Sequence, residues 1–135
     1  MNDAEFLKHL EAGELHDFPH RAHIRMAWLY LQADGFTQGS TKIRATLLQL
    51  LEKHGAVGKY HETITQFWIY LVAHAFSLTP EIEDFEAFMS THAHLLDSRL
   101  LKAHYSPERL SQSRERWATP DLQPLPGGEF TPDLR

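Results

Sequence analysis

Histidine is the residue type that could give this chain its chemistry. The chain has ten histidines, and histidine both titrates near neutral pH and is the commonest metal ligand in proteins. Two of them, His20 and His23, stand three residues apart in the segment FPHRAHIR. Residues three apart project from the same face of a helix, so this spacing permits both imidazoles to bind one ion.

A second group of polar residues occupies the segment KYHETIT, residues 59–65, directly before an apolar run. An imidazole from His61 would complete the three-ligand set that leaves one position of a zinc ion open to water or substrate. Such an ion lowers the pKa of its bound water or polarises a carbonyl group. Glu62 could then be a fourth ligand, a partner of an imidazole or a general base. The candidate proton donors are Tyr60 and Tyr105.

Helices must position these residues, because apolar residues recur at helical spacing and no run alternates with period two. The pattern predicts an all-α fold, a single-domain helical bundle of five to six helices. The predicted helices cover about 3–12, 19–35, 40–54, 63–79, 82–95 and 106–117. The predicted bundle domain is 1–118, and the Pro- and Gly-rich segment 119–135 is predicted to be an extended or partly disordered tail.

Polar residues at the predicted helix starts are candidate caps. The candidates are Asp17 for the second helix, Ser40 for the third, Thr63 for the fourth and Ser106 for the sixth. Thr63 and Gln66 also have the spacing of a capping box. On that interpretation His61 and Glu62 are only the loop that precedes the cap.

Short connections make sequential helices antiparallel, so the second and fourth helices should begin at the same end of the bundle. This topology predicts that His20, His23 and His61 meet at one end. Two helix N-termini at one place also favour a bound anion, and basic residues stand nearby in the sequence. These basic residues are Arg21, Arg25 and Lys59.

Composition excludes several classes of protein. The formal charge of −5 argues against a nucleic-acid partner, whose binding surface is basic. The absence of cysteine excludes disulfides and thiolate metal sites. No signal peptide is visible at the start of the sequence, and the apolar runs are too short to span a membrane. We therefore expect a cytoplasmic protein without a membrane partner.

The segments FPHRAHIRMAWLYL, KYHETIT and HYSPERL…PDLQPLP together resemble an uncharacterised family of small bacterial all-helical proteins. The resemblance runs from the second helix to the tail. It implies no substrate, because that family has no established activity. Position 104 departs from the pattern, since His104 stands where the family has tyrosine, and this argues against a special role for that residue.

Three hypotheses follow. The leading one is a small metal-dependent enzyme that acts by hydrolysis or proton transfer on a small anionic molecule. Its ion, zinc in preference to iron, would be bound by His20, His23 and His61. The second is a metal-free protein that binds such an anion, and the third is a structural helical bundle whose polar residues only cap helices and face water.

Overall fold

The computed structural model of the chain describes residues 1–15 and 17–127. Within these ranges the backbone forms six α-helices and two 3₁₀ turns, and it forms no β-strand. The predicted all-α class and number of helices are therefore confirmed. The helices are α1 (Asp3–Glu11), α2 (His20–Lys53), α3 (Glu62–Leu78), α4 (Phe85–Thr91), α5 (Leu100–His104) and α6 (Pro107–Gln112).

The chain divides into two compact units, Met1–Tyr60 and His61–Arg135. In the first unit α1 contacts α2 through its buried apolar side, where Phe6 and Leu10 are almost fully buried. Burying an apolar side chain of this size contributes about 1.5–3 kcal/mol. No helix in the described part of either unit is long and apolar enough to cross a membrane.

The second helix is interrupted at Gly35, where φ is 79° and ψ is 179°. Side chains are strained in this backbone conformation, and glycine adopts it readily. A Cβ atom on Gly39 would lie 2.9 Å from the carbonyl oxygen of Tyr30 and 3.1 Å from the Cα of Leu31. Residues eight apart in an unbroken helix are separated by about 12 Å along the axis, so the chain folds back after Gly35.

This break confirms the predicted helix end at Gly35, but the predicted start of the next helix at Ser40 is wrong. Helical structure resumes directly after the glycine, and Ser40 lies inside α2. Its side chain is buried and its hydroxyl has no hydrogen-bond partner in the described chain. Ser40 therefore packs in the core and does not cap a helix.

The second unit is built on α3, whose buried residues include Phe67, Ile69 and Val72. The helix predicted at 82–95 is shorter, because the Asp84 carboxylate caps its start by accepting from the Ala87 amide at 3.0 Å. The structure then continues as the 3₁₀ turn Ala93–Leu96 and as α5, which the sequence pattern did not predict.

Helix α6 is also shorter than the predicted 106–117, but its predicted cap is confirmed. Ser106 Oγ accepts from the Arg109 amide at 3.1 Å, and Pro107 is the first helical residue. Proline fits this position because the first amides of a helix have no partner within the helix.

Residues 113–127, which we name the C-terminal arm, follow α6 without helical structure. Tyr70 on α3 donates its hydroxyl to the Pro126 carbonyl at 2.5 Å, and the Leu122 amide donates to the His104 carbonyl at 3.0 Å. Residues 119–127 of the predicted tail thus form bends and a turn that are hydrogen-bonded within the second unit. Residues 128–135 lie outside the described residues, and the domain boundary after residue 118 stays a prediction.

Candidate functional site

The histidine pair of the motif FPHRAHIR lies in the first turn of α2. The preceding residue, Pro19, is extended, and no side chain caps the helix, so the prediction that Asp17 caps it is wrong. His20 and His23 are each half-buried. The His23 ring packs against Phe18, with the ring centroids 4.2 Å apart.

Burial and, to a smaller extent, the nearby His20 lower the pKa of His23 to about 4, although a hydrogen bond to the Phe18 backbone acts in the opposite direction. His23 is therefore uncharged at neutral pH. An uncharged imidazole carries one nitrogen lone pair, which is the form that binds a metal ion. The spacing of His20 and His23, three residues apart in one helical turn, places the two side chains on the same face of α2.

The basic residues predicted to form an anion site are only partly in place, because Arg25 already has an acidic partner. Its Nε and Nη2 atoms lie 3.1 Å and 2.7 Å from one carboxylate oxygen of Asp3. The same guanidinium lies over the Phe6 ring, 4.6 Å from its centroid. Arg25 therefore holds α1 on α2, and its charge is largely neutralised.

The motif KYHETIT is divided between the two units. Lys59 ends the 3₁₀ turn Val57–Lys59, and Tyr60 follows it with a half-buried side chain. His61 is the first residue of the second unit. The role of Tyr60 as a proton donor stays a prediction.

His61, and not Thr63, caps α3, so the predicted capping box is wrong. His61 Nδ1 accepts from the Ile64 amide at 3.2 Å, and Nε2 lies 2.7 Å from the carbonyl oxygen of Leu110. Because Nδ1 accepts, the ring proton belongs on Nε2, which donates to Leu110. Neither nitrogen offers a lone pair to an ion in this arrangement, and the predicted role of His61 as a metal ligand requires one of these bonds to break.

Thr63 fastens the C-terminal arm to α3. Its side chain is fully buried, and Oγ1 lies 2.8 Å from the carbonyl oxygens of both Ser113 and Arg116. The same oxygen accepts from the Ala118 amide at 3.1 Å. A hydroxyl has one proton, so the two carbonyls share it. This role was missed, because the partners stand fifty or more positions along the chain.

Backbone amides at the start of α3 already have hydrogen-bond partners within the protein. The Glu62 amide donates to the Arg114 carbonyl at 2.7 Å, and the Ile64 amide donates to His61. Anion binding at a helix start requires amides that point at the ligand, so this geometry does not favour the predicted anion site at α3. The Glu62 carboxylate accepts from Gln66 at 3.3 Å, and its role as ligand or base stays a prediction.

Tyr105 is hydrogen-bonded to the C-terminal arm. Its side chain is 1% exposed, and its hydroxyl donates to the Ala118 carbonyl at 2.6 Å. Burial raises its pKa above the ordinary value of 10, so the hydroxyl keeps its proton. The Nδ1 atom of the adjacent His104 lies 2.9 Å from the Gln123 carbonyl and donates to it, which gives that histidine a structural role.

Over residues 1–15 and 17–127, no group of three or more His, Asp or Glu side chains is arranged to hold a metal ion. The predicted metal centre therefore stays a prediction. Two of its predicted ligands, His20 and His23, lie in the first turn of α2.

Comparison with known proteins assigns this chain to no family. The chain matches no family model, no curated protein and no solved structure. This result is consistent with the resemblance to a family of all-helical proteins without an established activity. The helices of residues 1–15 and 17–127 place the chain in the all-α class.

Proposed function

We propose that this protein is a small cytoplasmic metal-dependent enzyme that binds a divalent ion at His20 and His23. The ion, zinc in preference to iron, would polarise a small anionic substrate or activate a water molecule for hydrolysis or proton transfer. The observation that carries the proposal is the placement of two half-buried imidazoles three residues apart in the first turn of α2.

The state of His23 supports this proposal. Protons compete with metal ions for imidazole nitrogens, and the pKa of about 4 removes this competition at neutral pH. Packing against Phe18 also restricts the ring, so less side-chain entropy is lost when an ion binds.

The proposed site differs from the predicted three-histidine set, because both nitrogens of His61 are hydrogen-bonded. Two protein ligands leave positions for water and for an anionic group of the substrate. We therefore expect the substrate to strengthen metal binding by supplying a ligand of its own.

Equilibrium dialysis of untagged, chelator-treated protein against zinc and iron(II) tests the proposal. The expected result is one ion per chain for the wild type and at least tenfold weaker binding for His20→Ala and His23→Ala. The exposed His94 provides a matched control, and His94→Ala should bind like the wild type. Equal occupancy in all four proteins, or none above background, would overturn the proposal.

A second candidate is metal-free binding of a small anionic molecule at the same histidine pair. It is favoured by the finding that no three potential ligands are clustered in the described part of the chain. On this alternative the dialysis finds no ion, and phosphate or acetate shifts the NMR signals of His20 and His23. Indifference to metals and anions alike would favour a structural role.

A further inference from the structure

A second group of histidines surrounds the end of α3, in the unit His61–Arg135. His74 lies on α3, and His92 and His94 flank the start of the 3₁₀ turn that follows α4. The side chain of His92 is 6% exposed, whereas His94 is exposed. The rings of His92 and His94 are 6.1 Å apart.

His92 joins the ends of two helices through its ring. Its Nε2 atom lies 2.8 Å from Oγ1 of Thr79. Thr79 is the C-cap residue of α3, and His92 is the C-cap residue of α4. The ring also packs against the fully buried Phe88, with the centroids 4.8 Å apart. This contact therefore holds the α4 segment against the end of α3.

The charged groups that act on His92 are themselves histidines. Burial lowers the pKa of His92, and His94 and then His74 lower it further. The acidic residues of the segment between α3 and α4 are all exposed to solvent, and these are Glu81, Glu83 and Asp84. A proton on His92 would thus place a cation on a buried ring with no buried carboxylate among these acidic residues to compensate it.

We propose that the Thr79–His92 contact is an acid-sensitive clasp, which opens when the buried His92 ring takes up a proton and releases residues 85–96 from the end of α3. Opening moves the charged His92 ring into water. It also uncovers the apolar side of α4, including Phe85, Phe88 and Met89, which are buried in the closed form.

The direction of the effect follows from proton binding. In the open form His92 is exposed and titrates near its ordinary value of 6.5, whereas its pKa in the closed form is lower. Opening therefore takes up a proton once the pH falls below about 6.5, and the clasp stays closed above that value. For one proton, the opening constant rises by up to about tenfold for each pH unit in this window.

Hydrogen–deuterium exchange of the whole chain at pH 7.5, 6.5 and 5.5, corrected for the intrinsic exchange rate, tests the clasp. Amides of residues 85–96 should open up to about fivefold more at pH 5.5 than at 6.5, because half of the open form is already protonated at pH 6.5. Amides in the middle of α3 should not change. The variant His92→Asn has no titrating ring and should lose the pH dependence. A pH-independent wild type, or an equal rise in the variant, overturns the proposal.

A second measurement keeps the test decisive if His92→Asn is less protected at every pH. The pKa of His92 in the wild type is then read from its imidazole NMR signal. A His92 pKa below 6.5, together with pH-dependent hydrogen–deuterium exchange in residues 85–96, supports the clasp. A His92 pKa at or above 6.5 contradicts it.

Discussion

Nε2 of His61 lies 2.7 Å from the carbonyl oxygen of Leu110, so one imidazole links the start of α3 to α6. The other ring nitrogen caps α3 through the Ile64 amide. The motif KYHETIT thus contributes a structural histidine to the second unit. The proposed chemistry depends on the pair at the start of α2.

Replacing His61 should reduce stability and leave zinc binding unchanged. His61→Ala loses both the cap and the bond to Leu110, and we expect a loss of about 2–3 kcal/mol in the free energy of unfolding. Asparagine is a good cap, so His61→Asn should lose only about half as much. Urea unfolding measures both variants. A stable His61→Ala protein that no longer binds zinc would show that His61 is a ligand after all.

The Thr63 hydroxyl should contribute strongly to the stability of the second unit. Thr63→Val keeps the shape of the side chain but leaves the Ser113 and Arg116 carbonyls and the Ala118 amide without this partner. We expect a loss of about 2–3 kcal/mol in the free energy of unfolding, measured in urea. The matched variant Thr63→Ser keeps the hydroxyl and should lose only about 1 kcal/mol. Equal losses in the two variants would contradict the hydrogen-bonding role.

Tyr105 should stabilise the C-terminal arm without taking part in proton transfer. Tyr105→Phe removes the bond to the Ala118 carbonyl and should lower the free energy of unfolding by about 1–2 kcal/mol in thermal or urea unfolding. Metal binding measured by dialysis should be unchanged. An unaltered stability would show that the hydroxyl is not needed for the arm.

The features that the sequence predicted correctly depend on neighbouring residues. Helical spacing of apolar residues identified the all-α class, and the conformational freedom of Gly35 identified the end of the first part of α2. Ser106 was recognised as a cap because its partner, the Arg109 amide, stands only three residues away.

The features that were missed depend on residues far apart in the chain. Thr63 has the local pattern of a cap, but its hydroxyl bonds residues of the C-terminal arm. Ser40 also resembles a cap, but the fold-back after Gly35 buries it inside α2. Hydrogen bonds of Tyr105 and His61 to distant carbonyls likewise leave no local signal, so both residues resembled site residues.

The stability of the metal-free protein should fall in acid because of His23. Its folded pKa of about 4 lies below the ordinary 6.5, so the unfolded chain binds a proton first as the pH falls. The stability is complete above pH 6.5 and is lost as the pH approaches 4, by about 3 kcal/mol at 1.36 kcal/mol per pKa unit. Urea unfolding of the wild type and His23→Asn in chelator measures this loss as a difference between their pH profiles. Parallel profiles would show that His23 is not buried as described.

The assignment of His20 and His23 as the metal ligands is tested most directly by NMR of protein with ¹⁵N-labelled histidine during a zinc titration. Zinc should shift the imidazole signals of His20 and His23, saturating at one ion per chain. The signals of His61 and His104, whose rings are hydrogen-bonded to backbone groups, should stay unchanged. A shift of the His61 signals at the same zinc concentration, or no shift at His20 and His23, would contradict the assignment.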